Sequence, residues 1–254
     1  MASDVEVLPT AALAAEAAAR RFVLAAGEAI RSRGAFVVAL SGGSTPRSLY
    51  ARLAAEPIGS RVEWSRVQVL WGDERCVPPD DAASNYRMAR EMLLDQVRVP
   101  EANVHRIRGE DDPPAAALAY EGVLRGVLGT PVGPPRRTAG ARIDLVLLGL
   151  GDDGHTASLF PGSDTAREET RWVVAARGTA RPMWRVTLTP VIINAAAEML
   201  FLVIGGTKAE IVRRVLEGPQ DPRVLPAQSI KPTNGRVHWV LDAAAAARLG
   251  KEAP

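Results

Sequence analysis

The chain has 254 residues, 47% of them hydrophobic and 24% charged, and a formal net charge of +2. These values describe a globular chain with room for a sizeable core and exclude a disordered or fibrous protein. No run approaches the ~20 apolar residues of a membrane helix, the MASDVEVLPT start lacks the marks of a secretory signal, and the lone Cys76 excludes an internal disulfide or a cysteine zinc cage.

In chain order, residues 10–33 are Ala-rich and read as a long helix, with Thr10 as N-cap and Gly34 as stop. FVVAL (36–40) is a buried strand; SGGSTP follows, and Pro46 opens a helix to about Ala55. RVQVLW (66–71) is a strand with GDERCVPPDDAAS as its loop, and Asn85 to Val97 is a helix capped by Ser84 or Asn85. NVHRI (103–107) reads as a short strand, 114–128 as a helix and 129–141 as a Gly/Pro-rich surface loop or linker. IDLVLLG (143–149), WVVAAR (172–177), WRVTL (184–188) and EMLFLVIGG (198–206) are strand candidates. Thr207 to Glu217 is a helix with a Thr207/Glu210 capping box, RVHWVLD (236–242) a last strand, and an Ala-rich terminal helix closes the chain. Apolar strands alternating with helices predict an α/β fold, a mostly parallel sheet with helices on both faces, in one domain over 1–254.

Four polar segments begin where a predicted strand ends: SGGSTP, GDER, GLGDDGH and GGTK. Ligands of open parallel sheets bind beyond the carboxyl ends of the strands. Ser41, Gly42, Gly43, Ser44 and Thr45 form a glycine-rich loop before a helix N-terminus, a natural anion cradle or an ordinary strand-to-helix turn. Lys208 falls on the first helical turn, where the macrodipole disfavours a cation and a bound phosphate would offset the penalty. Arg75 offers a planar fork for phosphate, and Asp73 or Glu74 could bind sugar hydroxyls or steer a catalytic group. Cys76 reads as a bland small residue.

Gly149 to His155 matches G-x-G-x-x-G, yet two aspartates inside the turn would repel a pyrophosphate, and WVVAAR ends in Arg177 rather than an acid for a ribose. A tight acidic turn remains, in which Asp153 orients His155 and His155 takes a proton from water. His105 and His238 read as structural, and none of the three histidines shows metal-site spacing. Only three of the 31 basic residues are lysines and the arginines are scattered, so no nucleic-acid partner is expected.

ALSGGSTP (39–46), WGDERCVPPDDAASNY (71–86), DLVLLGLGDDGHTASLFPG (144–162), RVTLT (185–189) and LPAQSIKP (225–232) resemble the 6-phosphogluconolactonase family, in register over nearly the whole chain. The resemblance implies a doubly wound, Rossmann-like α/β fold related to sugar-phosphate isomerases and amino-sugar-phosphate deaminases. It implies His155 as general base with Asp153 beside it, the 41–45 loop, Arg75 and Lys208 on the 6-phosphate, and Asp73, Gly151 and Arg185 near the substrate. The expected reaction is hydrolysis of a sugar-phosphate δ-lactone in the oxidative pentose phosphate route, without cofactor or metal, by a cytoplasmic monomer with no membrane partner.

Two rivals stand beside it. The deaminases that resemble this chain carry a glutamate five residues after the histidine; Phe160 stands there, which argues against a sugar-phosphate isomerase or deaminase. A non-catalytic sugar-phosphate sensor usually needs a fused DNA-binding segment, and the 35 residues before the first predicted strand are too few and too Ala-rich for one.

Overall fold

The computed structural model describes residues 4–129, 142–178 and 182–250. Helix α1 (Ala11–Arg33) begins and ends where its caps dictate. Thr10 Oγ1 accepts from Leu13 N at 3.3 Å, and Gly34, left-handed at φ +82°, donates to Ile30 O at 2.8 Å. Its alanines form a nearly flat buried stripe that lets the helix approach the sheet closely. Helix α2 (Thr45–Ala54) packs beside it.

Six strands make one parallel sheet: β1 (Asp4–Leu8), β2 (Phe36–Leu40), β3 (Val67–Trp71), β5 (Leu145–Leu148), β8 (Glu198–Val203) and β9 (Arg236–Asp242), in the spatial order β1-β9-β8-β5-β2-β3. Most of the central residues are buried, which is why these strands read as continuous apolar runs instead of alternating ones. The chain runs outward from β2 to β3, then restarts at β5 on the other side of β2 and proceeds through β8 and β9. The order therefore reverses between β2 and β5. The loops leaving these two strands diverge around that point and open a crevice.

A second, three-stranded antiparallel sheet joins β4 (Asp73–Arg75), β7 (Trp184–Leu188) and β6 (Val173–Arg177), and helix α4 (Pro113–Val127) packs on it. The core is well filled around Phe36, which is fully buried and meets Phe22 edge-on at 5.2 Å between ring centroids. Phe36→Ala is expected to cost about 3–5 kcal/mol of unfolding free energy, the usual range for such a cavity. Denaturant titration checks this, and a loss below about 1 kcal/mol would contradict the packing described.

Several sequence expectations change. NVHRI is not a strand: one bridge, Val69 to Val104, is all that forms beside β3. The helix expected over 85–97 is α3 (Asn85–Ala89) followed by a wide π turn over Arg90–Leu94, which keeps Met88, Ala89 and Leu93 all on the core. The Thr207/Glu210 capping box does not form. After the one-turn α5 (Pro190–Ile193), a 3₁₀ turn occupies Gly206–Lys208, α6 spans Ala209–Glu217, and Glu210 pairs with Arg213 and Arg248 at 2.7 and 2.8 Å, charged partners that outcompete a neutral N–H. The alanines after β9 make turns rather than a helix, with Ala245 N drawn to the Asp242 carboxylate at 2.8 Å. The N-terminal strand β1 was not foreseen, GDER is strand rather than loop, and WVVAAR and WRVTL belong to the antiparallel sheet. Except for Gly129, the proposed linker over 129–141 and its Pro/Arg-rich part lie outside the described residues.

Candidate active site

Two buried tyrosines close the ends of β2 and β3. Ser41 N donates to the Tyr50 hydroxyl at 3.0 Å, and that hydroxyl donates to Ser41 O at 2.7 Å. Tyr120 does the same for Trp71, at 2.7 and 3.3 Å. Burial raises both phenols well above their usual range, so they remain neutral donors and acceptors. Each tyrosine hydroxyl thus satisfies the backbone groups where a strand ends and the chain turns away.

The loop after β2 runs Ser41 to Thr45 into α2 and lines a cleft of about 410 Å³. Gly43 sits at φ +100°, where glycine is favoured. Gly42 is needed for another reason: a Cβ there would lie 1.8 Å from Asn85 Oδ1. Asn85 in turn donates to Asp73 O at 2.9 Å and accepts from Arg75 Nη1. The glycine loop and the Asp73–Arg75 strand are therefore locked through one amide. Arg75 also donates to Ala83 O at 3.0 Å, which fixes the direction of its fork.

Glu74 proves structural. It is 2% exposed and accepts from the backbone N–H groups of Arg75, Asn85 and Tyr86 and from Ser84 Oγ, stapling the SNY segment to β4. Burial drives its carboxyl up despite these bonds. Asp73 faces the cleft and accepts from Ser158 Oγ at 2.7 Å. Cys76 is bland as expected, its thiol pushed up to about 11 by burial.

Strand pairing places Arg75 directly opposite Arg185. Like charges at such positions repel. Burial lowers the pKa of Arg185, and the Arg75 charge lowers it further. Among the described residues, neither guanidinium is in salt-bridge contact with a carboxylate. The pair makes one wall of the cleft strongly attractive to an anion.

The turn after β5 supplies the imidazole. Gly151 N donates to His155 O at 2.8 Å and Gly154 N to Gly151 O at 3.0 Å, closing a tight loop with Gly154 at φ +86°. Asp153 Oδ1 lies 2.5 Å from His155 Nδ1 and accepts from His155 N at 3.1 Å. Burial works to raise the Asp153 carboxyl, but the backbone and ring of His155 outweigh it and hold it below the ordinary range, as an anion. With Nδ1 engaged, Nε2 is the nitrogen available for proton transfer. Phe160 packs against the ring at 5.1 Å between centroids. The turn continues through Ala157, left-handed at φ +47° without being glycine. Thr156 Oγ1 on Gly149 O and Ser158 N on Thr187 Oγ1 hold it there, strain of the kind functional sites store.

Lys208 lines the same cleft from the turn before α6, and its ammonium pairs with Asp152 at 2.6 Å. Apart from Glu74, the site residues expected from the sequence line one cleft. His105 and His238 lie away from it. His105 meets Gln68 at 2.7 Å; His238 sits between Asp4 and Glu198, carboxylates invisible to a reading of its sequence neighbours. Among the described residues no group of His, Cys, Asp and Glu forms a metal site, and no helix is long and apolar enough to cross a membrane.

The family model described as glucosamine-6-phosphate isomerases/6-phosphogluconolactonase matches residues 9–239. The chain belongs to this family. A Nostoc 6-phosphogluconolactonase is 37% identical over 98% of this chain and 99% of its own, and one from Mycobacterium tuberculosis is 38% identical with the same coverage. The solved 6-phosphogluconolactonase of Trypanosoma cruzi superposes with a TM-score of 0.84 at 31% identity, over 98% of both chains.

For this member of the family the sequence reading missed Asn85, Ser158 and Gly178. Asn85 looked like a helix cap, and its side chain serves Arg75 instead. Ser158 gave no local signal, since Asp73, its partner, lies 85 residues away. At Gly178 a Cβ would come 3.1 Å from Phe160 Cζ, so the missing side chain makes room for the ring beside His155.

Proposed function

We propose that this chain hydrolyses 6-phospho-D-glucono-1,5-lactone to 6-phospho-D-gluconate with His155 as general base. One observation carries the reading: an imidazole fixed by a carboxylate shares a single cleft with two facing guanidiniums that, among the described residues, form no salt bridge. The phosphoryl group binds at Arg75, Lys208 and the 41–45 loop, whose helix presents first-turn N–H groups with no intrahelical acceptor. This anchors the lactone and places its carbonyl near His155. His155 Nε2 removes a proton from water as the water oxygen attacks the carbonyl carbon. Asp153 stabilises the imidazolium that forms. As the tetrahedral intermediate collapses, the ring C–O bond breaks and the imidazolium proton passes to the departing ring oxygen. Arg185, buried and beside Asp73, supports the oxyanion.

Phe160 supports hydrolysis over isomerisation, because an apolar ring rather than a second carboxylate stands beside the base.

The direct test is acid release from freshly prepared lactone, corrected for spontaneous opening, with glucosamine 6-phosphate as the control substrate. Turnover of the amino sugar and none of the lactone would reverse the assignment. Arg75→Ala is expected to raise KM by about 10- to 100-fold with a smaller change in kcat, since a phosphate contact exists in ground and transition states alike. An unchanged KM would place the phosphate elsewhere.

A further inference from the structure

The Gly149–His155 turn carries two adjacent aspartates that serve different partners. Asp153 turns to His155; Asp152 reaches across the cleft to Lys208, with its oxygen 2.6 Å from Nζ. The two members of this ion pair differ in setting. The Lys208 side chain is 21% exposed and that of Asp152 is 79% exposed. Lys208 stands immediately before the nine-residue helix α6, whose N-terminal field works against a cation. Without a ligand the ammonium needs a counter-charge, and Asp152 supplies one from the solvent side. An exposed carboxylate is also easily given up, because water solvates it as soon as it leaves.

We propose that Asp152 is the resident counter-ion of the anion clamp: it occupies the Lys208 ammonium in the empty cleft, the phosphoryl group displaces it, and the exchange sets how tightly substrate binds. The inference rests on the reading that Lys208 grips the phosphoryl group. The displacement is an exchange of one anion for another at Nζ, with no bond made or broken. A phosphoryl dianion offers more charge and more acceptor oxygens than a carboxylate and is held in addition by Arg75, so the exchange runs toward bound substrate. Affinity is nevertheless lower than an unoccupied lysine would give. Asp152 makes no described contact with His155, so the effect belongs to binding and not to the chemical step.

The experiment is a two-residue cycle on the full chain: wild type, Asp152→Asn, Lys208→Ala and the double variant. KM and kcat for the lactone are read together with competitive inhibition by inorganic phosphate. Asp152→Asn is expected to lower KM and the phosphate inhibition constant together, by about three- to tenfold at low salt, with less effect as salt rises and kcat within about twofold. Asp152→Ser should behave alike, which separates loss of charge from loss of shape. In the Lys208→Ala background the Asp152 substitution should change nothing. An unchanged or raised KM in Asp152→Asn overturns the proposal, as does an effect that persists without Lys208, which would mean direct repulsion of substrate. A Lys208→Ala enzyme with wild-type KM would instead remove the clamp reading beneath it, a result distinguishable from all of these.

Discussion

His155→Ala is expected to lose about 10³-fold in kcat while still binding 6-phosphogluconate close to wild-type affinity, because general acid–base groups contribute roughly 10²–10⁴-fold and the anion contacts come from other loops. The imidazole is held on one side only, through Nδ1 to Asp153, and packs against Phe160 on another, so truncating it removes the proton acceptor without unbinding any strand. Initial rates on fresh lactone and calorimetric titration with 6-phosphogluconate read the two quantities separately. A variant keeping more than about a tenth of wild-type kcat would exclude His155 as the base.

Gly151→Ala is expected to lower kcat by about 10²-fold with little change in thermal stability, the loss typical of a misoriented general base. A Cβ at this position would lie 2.1 Å from His155 Nδ1 and 2.2 Å from Cε1, so the ring must leave its place beside Asp153. Gly151 does not need a left-handed backbone, and the obstacle is a side chain able to rotate away, so the turn itself survives. Gly154→Ala makes the contrast: φ is +86° and its Cβ would lie 2.7 Å from Leu225 Cδ2, so that change strikes the fold as well. Parallel kcat and melting measurements on the two variants decide the matter. Wild-type turnover in Gly151→Ala would show that the His155–Asp153 geometry is not what catalysis requires.

Much of the fold was readable because local rules and the final structure agree. Thr10 and Gly34 bound α1 by capping chemistry, and β2, β3, β5, β8 and β9 are apolar because helices and neighbouring strands cover them. The errors came where local preference was weak or outcompeted. β4 is three residues long and rich in charge, so it resembled a loop; it is a strand because β7 pairs with it. Glu210 looked like half of a capping box until two arginines took its carboxylate.

The site divides in the same way. Local chemistry alone placed four polar segments after strand ends, Asp153 beside His155 in a glycine-closed turn, and Gly42 and Gly43 before a helix start. These are properties of neighbouring residues, and two or three peptide units settle them. It took the folded chain to show that Arg75 faces Arg185, that Asn85 braces Arg75, that Glu74 is spent on backbone N–H groups, and that Lys208 is held by Asp152. The first and last of these join distant segments, and which charge meets which there depends on the order of strands in the sheets, a global packing outcome that no local pattern encodes.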